Sequence, residues 1–254
     1  LLALPGSDQL WTNRFDGEEA DLFDWQDRVS EEVAANVEAV VRRARLARAS
    51  VAPESLTARR MAAAAAINTM TPDGFLGGLA FLAAELEGPS PDPEAQALGA
   101  LAHASLWIGA YPGTGPGNRE AGTALARAAL AQTDTAPFPT GLSAVALAHF
   151  GGPVEASLAL VDRVQALTPG FAPALLWAGQ VRLIAGDAPA AIERLEAARR
   201  LDPRMSVRAL LLGYLGAARL LAGEPGPARA ALLEAAEMTS RLPLVNLFLA
   251  STQG

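Results

Sequence analysis

The chain is 254 residues long, 51% hydrophobic but only 6% aromatic, and carries a net charge of −7. Acidity on that scale disfavours contact with a phosphate backbone, so direct nucleic-acid binding is not expected. The absence of Cys excludes disulfides, thiolate nucleophiles and Cys-ligated zinc, and no run approaches the ~18 unbroken apolar residues of a membrane span. Ala and Leu are the commonest residues, and with Arg and Glu they favour helix, so an all-α fold is predicted. Every one of the 20 basic residues is Arg, a pattern of high-GC bacterial coding.

The first residues read LLALPGSDQLW. They have neither an initiator Met nor the basic and long apolar regions of a signal peptide. Residues 1–17 are expected to be the remnant, strand and loop, of an upstream α/β domain. LLAL would suit the last strand of such a domain but alone cannot form a sheet.

After Asp16–Gly17, Leu22, Trp25, Val29, Val33, Val37, Val40, Ala44 and Ala47 recur at spacings of three and four. One apolar stripe of this kind predicts a long connector helix over 18–50. Its first turns hold Glu18, Glu19, Asp21, Asp24 and Asp27, and its last turns hold Arg42, Arg43, Arg45 and Arg48. That polarity complements a helix dipole at both ends. Asp21, Asp24 and Asp27 share a side, but a metal site wants ligands from a second element, and no Glu-x-x-His pair exists. The plain reading is two solvated helix ends; the acidic end could instead contact a partner, and the Arg cluster, with Arg59 and Arg60 after it, could bind an anion or an acidic partner or pair with acidic neighbours in the chain. Ser50–Ser55 (SVAPES) then breaks the helix.

From 51 to 254 the sequence repeats. Phe171–Pro203 and Arg208–Ser240 each read as helix, Ala-Gly-acid turn, helix. Gly179, Gly186, Ala191, Leu195, Ala198 and Pro203 in the first correspond to Gly216, Gly223, Ala228, Leu232, Ala235 and Ser240 in the second. The turn glycines lie 37 apart, and Gly152 precedes Gly186 by 34. Ser157, Val161, Val164 and Pro169 mark the second helix of that earlier unit. Two weaker units lie upstream, marked by Ala121, Leu125 and Ala128, and by Gly77, Phe81, Ala84 and Pro89. The pattern resembles the tetratricopeptide repeat (TPR), a helix–turn–helix unit of about 34 residues. The resemblance implies a right-handed superhelix of about five units, with Leu242–Thr252 as one more apolar helix closing it. At the consensus positions for Trp and Tyr in the first helix, Leu, Ala and Arg stand instead, so the seams are expected to be Leu/Ala-packed.

A TPR array ordinarily binds along the concave face formed by its first helices. Repeat position puts Leu142, Ala146, His149, Leu176, Gln180, Leu183, Gly213, Ala217 and Leu220 there. This set is uncharged and mostly apolar. It lacks the Lys, Arg and Asn clamp that TPRs use on chaperone C-termini and suits an apolar helix, either a partner's or the chain's own. His103 and His149 each sit alone in an apolar helical context, as core or groove residues. The glycine-rich loop Gly109–Thr123 fails both phosphate-binding patterns: no Lys follows its glycines, and Asn118 stands where the dinucleotide pattern needs Gly. Catalytic residues, metal ligands and cofactors are therefore not expected.

One further resemblance rests on Leu10, Trp11, Arg14, Phe15, Asp16, Gly17, Asp21, Leu22, Phe23, Gln26, Asp27 and Val29. This pattern resembles a segment of bacterial class III adenylate/guanylate cyclase-related proteins that carry C-terminal TPRs. It is also similar to winged-helix regulators with the same C-terminal half. In both, the segment ends a TolB-like α/β domain and leads into the repeats. The resemblance implies a non-catalytic interaction and regulatory module of a cytoplasmic signalling protein. Its partner would be another protein or its own upstream output domain, with a homodimer as an alternative. The cyclase aspartates and the winged-helix recognition helix have no counterpart in these residues, so no catalytic role is carried over.

Overall fold

The computed structural model describes residues 2–3, 8–9, 55–111, 115, 117–133, 135–239 and 242–252. The expected connector helix over 18–50, with its acidic and Arg-rich ends, and the Leu10–Val29 motif lie outside the described residues. Leu2–Ala3 (β1) pairs antiparallel with Asp8–Gln9 (β2), Leu2 opposite Gln9 and Ala3 opposite Asp8. The ladder pairs the two strands, as a lone strand requires.

Helices make up the rest: α1 (Leu56–Ile67), α2 (Pro72–Leu86), α3 (Pro93–Gly109), α4 (Gly117–Gln132), α5 (Pro137–His149), α6 (Val154–Leu167), α7 (Ala172–Ile184), α8 (Ala188–Leu201), α9 (Arg208–Leu221), α10 (Pro225–Met238) and α11 (Pro243–Ala250). Local chemistry explains their starts. Pro stands in the first turn of α2, α3, α5, α7, α8, α10 and α11, where its missing N–H costs nothing. Ser55, Thr71, Asp92 and Asp187 cap α1, α2, α3 and α8 by accepting from Ala58, Gly74, Glu94 and Ala190 N–H groups.

Consecutive helices pair as α1/α2, α3/α4, α5/α6, α7/α8 and α9/α10, and α11 packs on α9 and α10. One buried triad recurs in every second helix: Gly78, Leu82 and Glu85 in α2; Gly122, Ala126 and Ala129 in α4; Ser157, Val161 and Val164 in α6; Ala191, Leu195 and Ala198 in α8; Ala228, Leu232 and Ala235 in α10. In the two upstream units this register is one residue later than Gly77, Phe81 and Ala84, or Ala121, Leu125 and Ala128, would place it. The seam itself decides the register. A Cβ on Gly78 would lie 2.6 Å from Ile67 Cγ1, whereas one on Gly77 would meet nothing within 4 Å. Gly122 likewise sits under the Phe150 ring, 2.4 Å from an added Cβ.

Three first helices end alike. Gly151, Gly186 and Gly223 take φ of 75°, 83° and 77°, and their N–H groups donate to Ala148, Leu183 and Leu220. The next residue in each case donates further back, to Leu147, Arg182 and Arg219. This is the Schellman closure, whose left-handed residue favours Gly. The turn glycine of the α5/α6 unit is therefore Gly151 rather than Gly152, because that turn holds one residue more than those after α7 and α9. Equivalent ion pairs tie neighbouring units: Arg182 reaches Asp162 of α6, and Arg219 reaches Glu196 of α8, both at 2.6 Å.

Two apolar clusters run through the array, one from α1 to α7 and one from α7 to α11. Met70, in the α1–α2 turn with φ 54°, packs against both. Close helix crossing depends on glycine at two places in the second cluster's units. A Cβ on Gly179 would lie 2.6 Å from Leu195 Cγ, and one on Gly216 would lie 2.4 Å from Leu232 Cγ. Gly216→Ala should lower stability in urea by about 1–3 kcal/mol through overpacking. Gly226→Ala, where nothing lies within 4 Å, should be neutral or stabilising by up to about 1 kcal/mol; equal losses at the two sites would contradict this account of the seam.

Candidate functional site

The first helices α1, α3, α5, α7 and α9 face one another across a cavity of about 910 Å³. From α1 come Thr57, Arg60, Met61 and Ala64; from α3 Glu94, Leu98, Leu101 and Ile108; from α5 Phe138, Leu142, Val145 and His149. α7 adds Leu176, Trp177 and Gln180, and α9 adds Leu210 and Tyr214. The connections before α7 and α9 supply Thr168 and Phe171, and Met205, Ser206 and Val207. The wall is thus aliphatic and aromatic with few polar groups, as small-molecule and peptide sites usually are.

Trp177 fixes one side. Its ring stands edge-on to Phe138 at 5.7 Å and to Phe171 at 5.6 Å. Gly141 makes room for it, since a Cβ there would come within 2.1 Å of Trp177 Cε3. On the opposite side the first unit approaches the connection before α9. Asn68 Nδ2, just past α1, donates to Ser206 Oγ at 3.5 Å, beside Met70.

The polar groups form two sets. His149 Nε2 and the Tyr214 hydroxyl lie 3.1 Å apart, with ring centroids 6.2 Å apart, and His149 also shares a side-chain hydrogen bond with Gln180. Burial pushes the His149 imidazole down to about 4, against a smaller upward pull from Gln180. Burial raises the Tyr214 phenol well above its ordinary value. The set is therefore uncharged at neutral pH and rich in hydrogen-bonding capacity. In the second set Arg60 faces Asp92 at 3.0 Å, Glu85 at 3.6 Å and Glu94 at 3.7 Å. Burial raises the Glu94 carboxyl, and Arg60 partly offsets the rise. One guanidinium is thus matched by three carboxylates.

Of the residues assigned to the groove from repeat position, Leu142, His149, Leu176 and Gln180 line the cavity. The others lie outside its wall. Ala146 is buried among Ala100, Ala104, Ala126 and Phe150. Ala217 is fully buried, Gly213 receives Val245 and Leu244 of α11, and Leu183 and Leu220 pack against the second apolar cluster. Curvature turns these positions of the later units into the seam with their neighbours. Several wall residues escaped sequence reading. The α1 and α3 contributions belong to units with weak repeat signatures. Met205–Val207 come from a connection running 202–207, longer than its counterpart 168–171, and the 37-residue spacing of the last two units is the signal that could have found them. His103 stays away from the cavity; its Nδ1 meets Asn118 Oδ1 at 2.7 Å and pins α3 to the start of α4. Among the described residues no group of three or more His, Asp or Glu is placed to hold a metal ion. No described helix is long and apolar enough to cross a membrane.

Comparison with solved structures places this fold. The crystal structure of a thermophilic TPR protein from Thermus thermophilus matches with a TM-score of 0.52, covering 70% of this chain and 90% of that one at 19% identity. The fold is a TPR-like helical repeat superhelix. No protein-family model matches the chain, and no curated protein matches it.

The state of His149 is testable. Its folded value lies below that of an exposed histidine, so the unfolded chain binds the proton first on acidification. Stability should fall as pH drops from 6.5 towards 4, and that part of the pH dependence should vanish in His149→Gln. An imidazole NMR titration placing His149 near 6.5 would contradict the desolvated environment.

Proposed function

We propose that this chain is a non-catalytic protein-interaction and regulatory module. The observation that supports the reading is a set of exposed apolar side chains at the C-terminal ends of three first helices. Trp107 and Ile108 end α3 (39% and 44% exposed), Ile184 ends α7 (39%) and Leu221 ends α9 (64%). Ile184 and Leu221 occupy the same place in their units, two residues before the turn glycines, and form an edge on two adjacent first helices; the α5 unit has His149 there, on the cavity wall. Contiguous exposed apolar surface marks protein-binding sites, and TPR-like folds offer helix-in-groove and face-to-face contacts.

The resemblance carried by Leu10–Val29 supports a parent in bacterial class III adenylate/guanylate cyclase-related signalling, acting in the cytoplasm, with the repeats biasing an upstream output domain. Cyclase metal aspartates in the coding sequence upstream would support that parent; a winged helix there would assign the module to a transcriptional regulator instead. The binding role is tested by crosslinking and affinity capture from the native host. Ile184→Glu combined with Leu221→Glu should leave helix content unchanged and reduce partner capture by about tenfold or more, the scale of losing one or two interface anchors. Capture at the parental level would remove this edge as the contact surface.

A further inference from the structure

We propose that the cavity between the first helices is a binding site for a neutral small molecule, a long aliphatic body carrying one hydroxyl or carbonyl head group. This goes beyond protein binding through exposed helix ends; Ile184 and Leu221 are absent from the cavity wall, while Ile108 belongs to both. The volume, about 910 Å³, falls within the roughly 300–1,000 Å³ of small-molecule sites. The surroundings point the same way. Asn68 and Ser206 approach to 3.5 Å and Met70 packs against both apolar clusters, so the first unit and the connection before α9 narrow the concave face at this point. A peptide helix, ~10–12 Å across with its side chains, needs an open groove to continue past the array; a short flexible chain does not.

Wall chemistry sets the class of ligand. Leu98, Leu142, Leu176 and Trp177 offer apolar surface for the body. His149, Gln180 and Tyr214 supply a polar patch in the wall that carries no charged side chain at neutral pH. Gln180 is buried and lines the cavity, and its amide has two donors and a carbonyl oxygen, more than one bond to His149 uses. A hydroxyl or carbonyl head satisfies that capacity without bringing in a charge. An anionic head gains little from Arg60, because that guanidinium already faces Glu85, Asp92 and Glu94. Burying it unpaired would be costly.

Isothermal titration of the purified chain with 1-decanol, decanoate and decylammonium tests the proposal. Decanol should bind with one-to-one stoichiometry, at least about tenfold more tightly than either ion. Gln180→Leu should weaken decanol by about tenfold, and decanol should shift the His149 imidazole NMR signals in the parent. Val207→Trp, at a half-buried wall position on a connection, takes up part of the cavity and should weaken all three probes without touching the polar patch. It provides the second test should Gln180→Leu fail to fold. Equal binding of the three probes, preference for either ion, unchanged affinity in a folded Gln180→Leu, or parental decanol binding in Val207→Trp would each overturn it. Ile184→Glu with Leu221→Glu should leave decanol binding intact, so the edge surface and the cavity can fail independently.

Discussion

The architecture depends on one contact, the seating of a large side chain of one helix over a residue with little or no side chain on its partner. Leu195 over Gly179 and Leu232 over Gly216 are the plainest cases; Ile67 over Gly78 repeats the arrangement in the first pair, and Phe150, just past α5, sits in the same way over Gly122 of α4 between neighbouring units. Because interiors pack at crystal-like density, such a contact tolerates no added methyl without movement. It holds the helices of a pair close, and stacking of the pairs then sets how strongly the array curves. The cavity is a product of that curvature, since its wall is assembled from side chains of five helices that are not neighbours in sequence.

Much of this was legible in the sequence where glycine and alanine recur with leucine at fixed offsets. The α7/α8 and α9/α10 units could be read almost residue by residue, because Gly179, Leu195 and Ala198 have counterparts in Gly216, Leu232 and Ala235. The upstream units were legible in kind but not in register. Gly77 stands next to Gly78, and Ala121 next to Gly122, so either register offers small residues at the seam. Only the neighbour across it, Ile67 or Phe150, decides. The cavity was less legible still. Repeat position identifies a residue's place within its unit, and so found Leu142, His149, Leu176 and Gln180. It does not say how sharply the units turn, and that sharpness moves Ala146, Leu183, Gly213, Ala217 and Leu220 into seams while bringing Arg60 and Met205–Val207 to the wall.

Polar groups follow the same division between local and global causes. The caps at Ser55, Thr71, Asp92 and Asp187 are local and act within one turn of chain. The ion pairs Arg182–Asp162 and Arg219–Glu196 are periodic, inherited from equivalent places in successive units; with partly exposed partners each contributes little to stability on its own, but they favour one stagger between units. The His149–Tyr214 contact spans 65 residues and exists only because the array bends. A histidine in an apolar helix is thereby given a phenol and an amide in place of water, and its charge is suppressed.

The meeting of the α1–α2 turn with the connection before α9 changes how the molecule should come apart. A linear stack of repeats can lose its end units one at a time, since each touches only its neighbours. Here Met70 and Asn68 join the first unit to residues well over a hundred positions later. Peeling away the first pair must also break a distant contact, and forming that contact requires closing a long loop of chain. With this contact intact, the array should melt more cooperatively than a stack whose units touch only their neighbours.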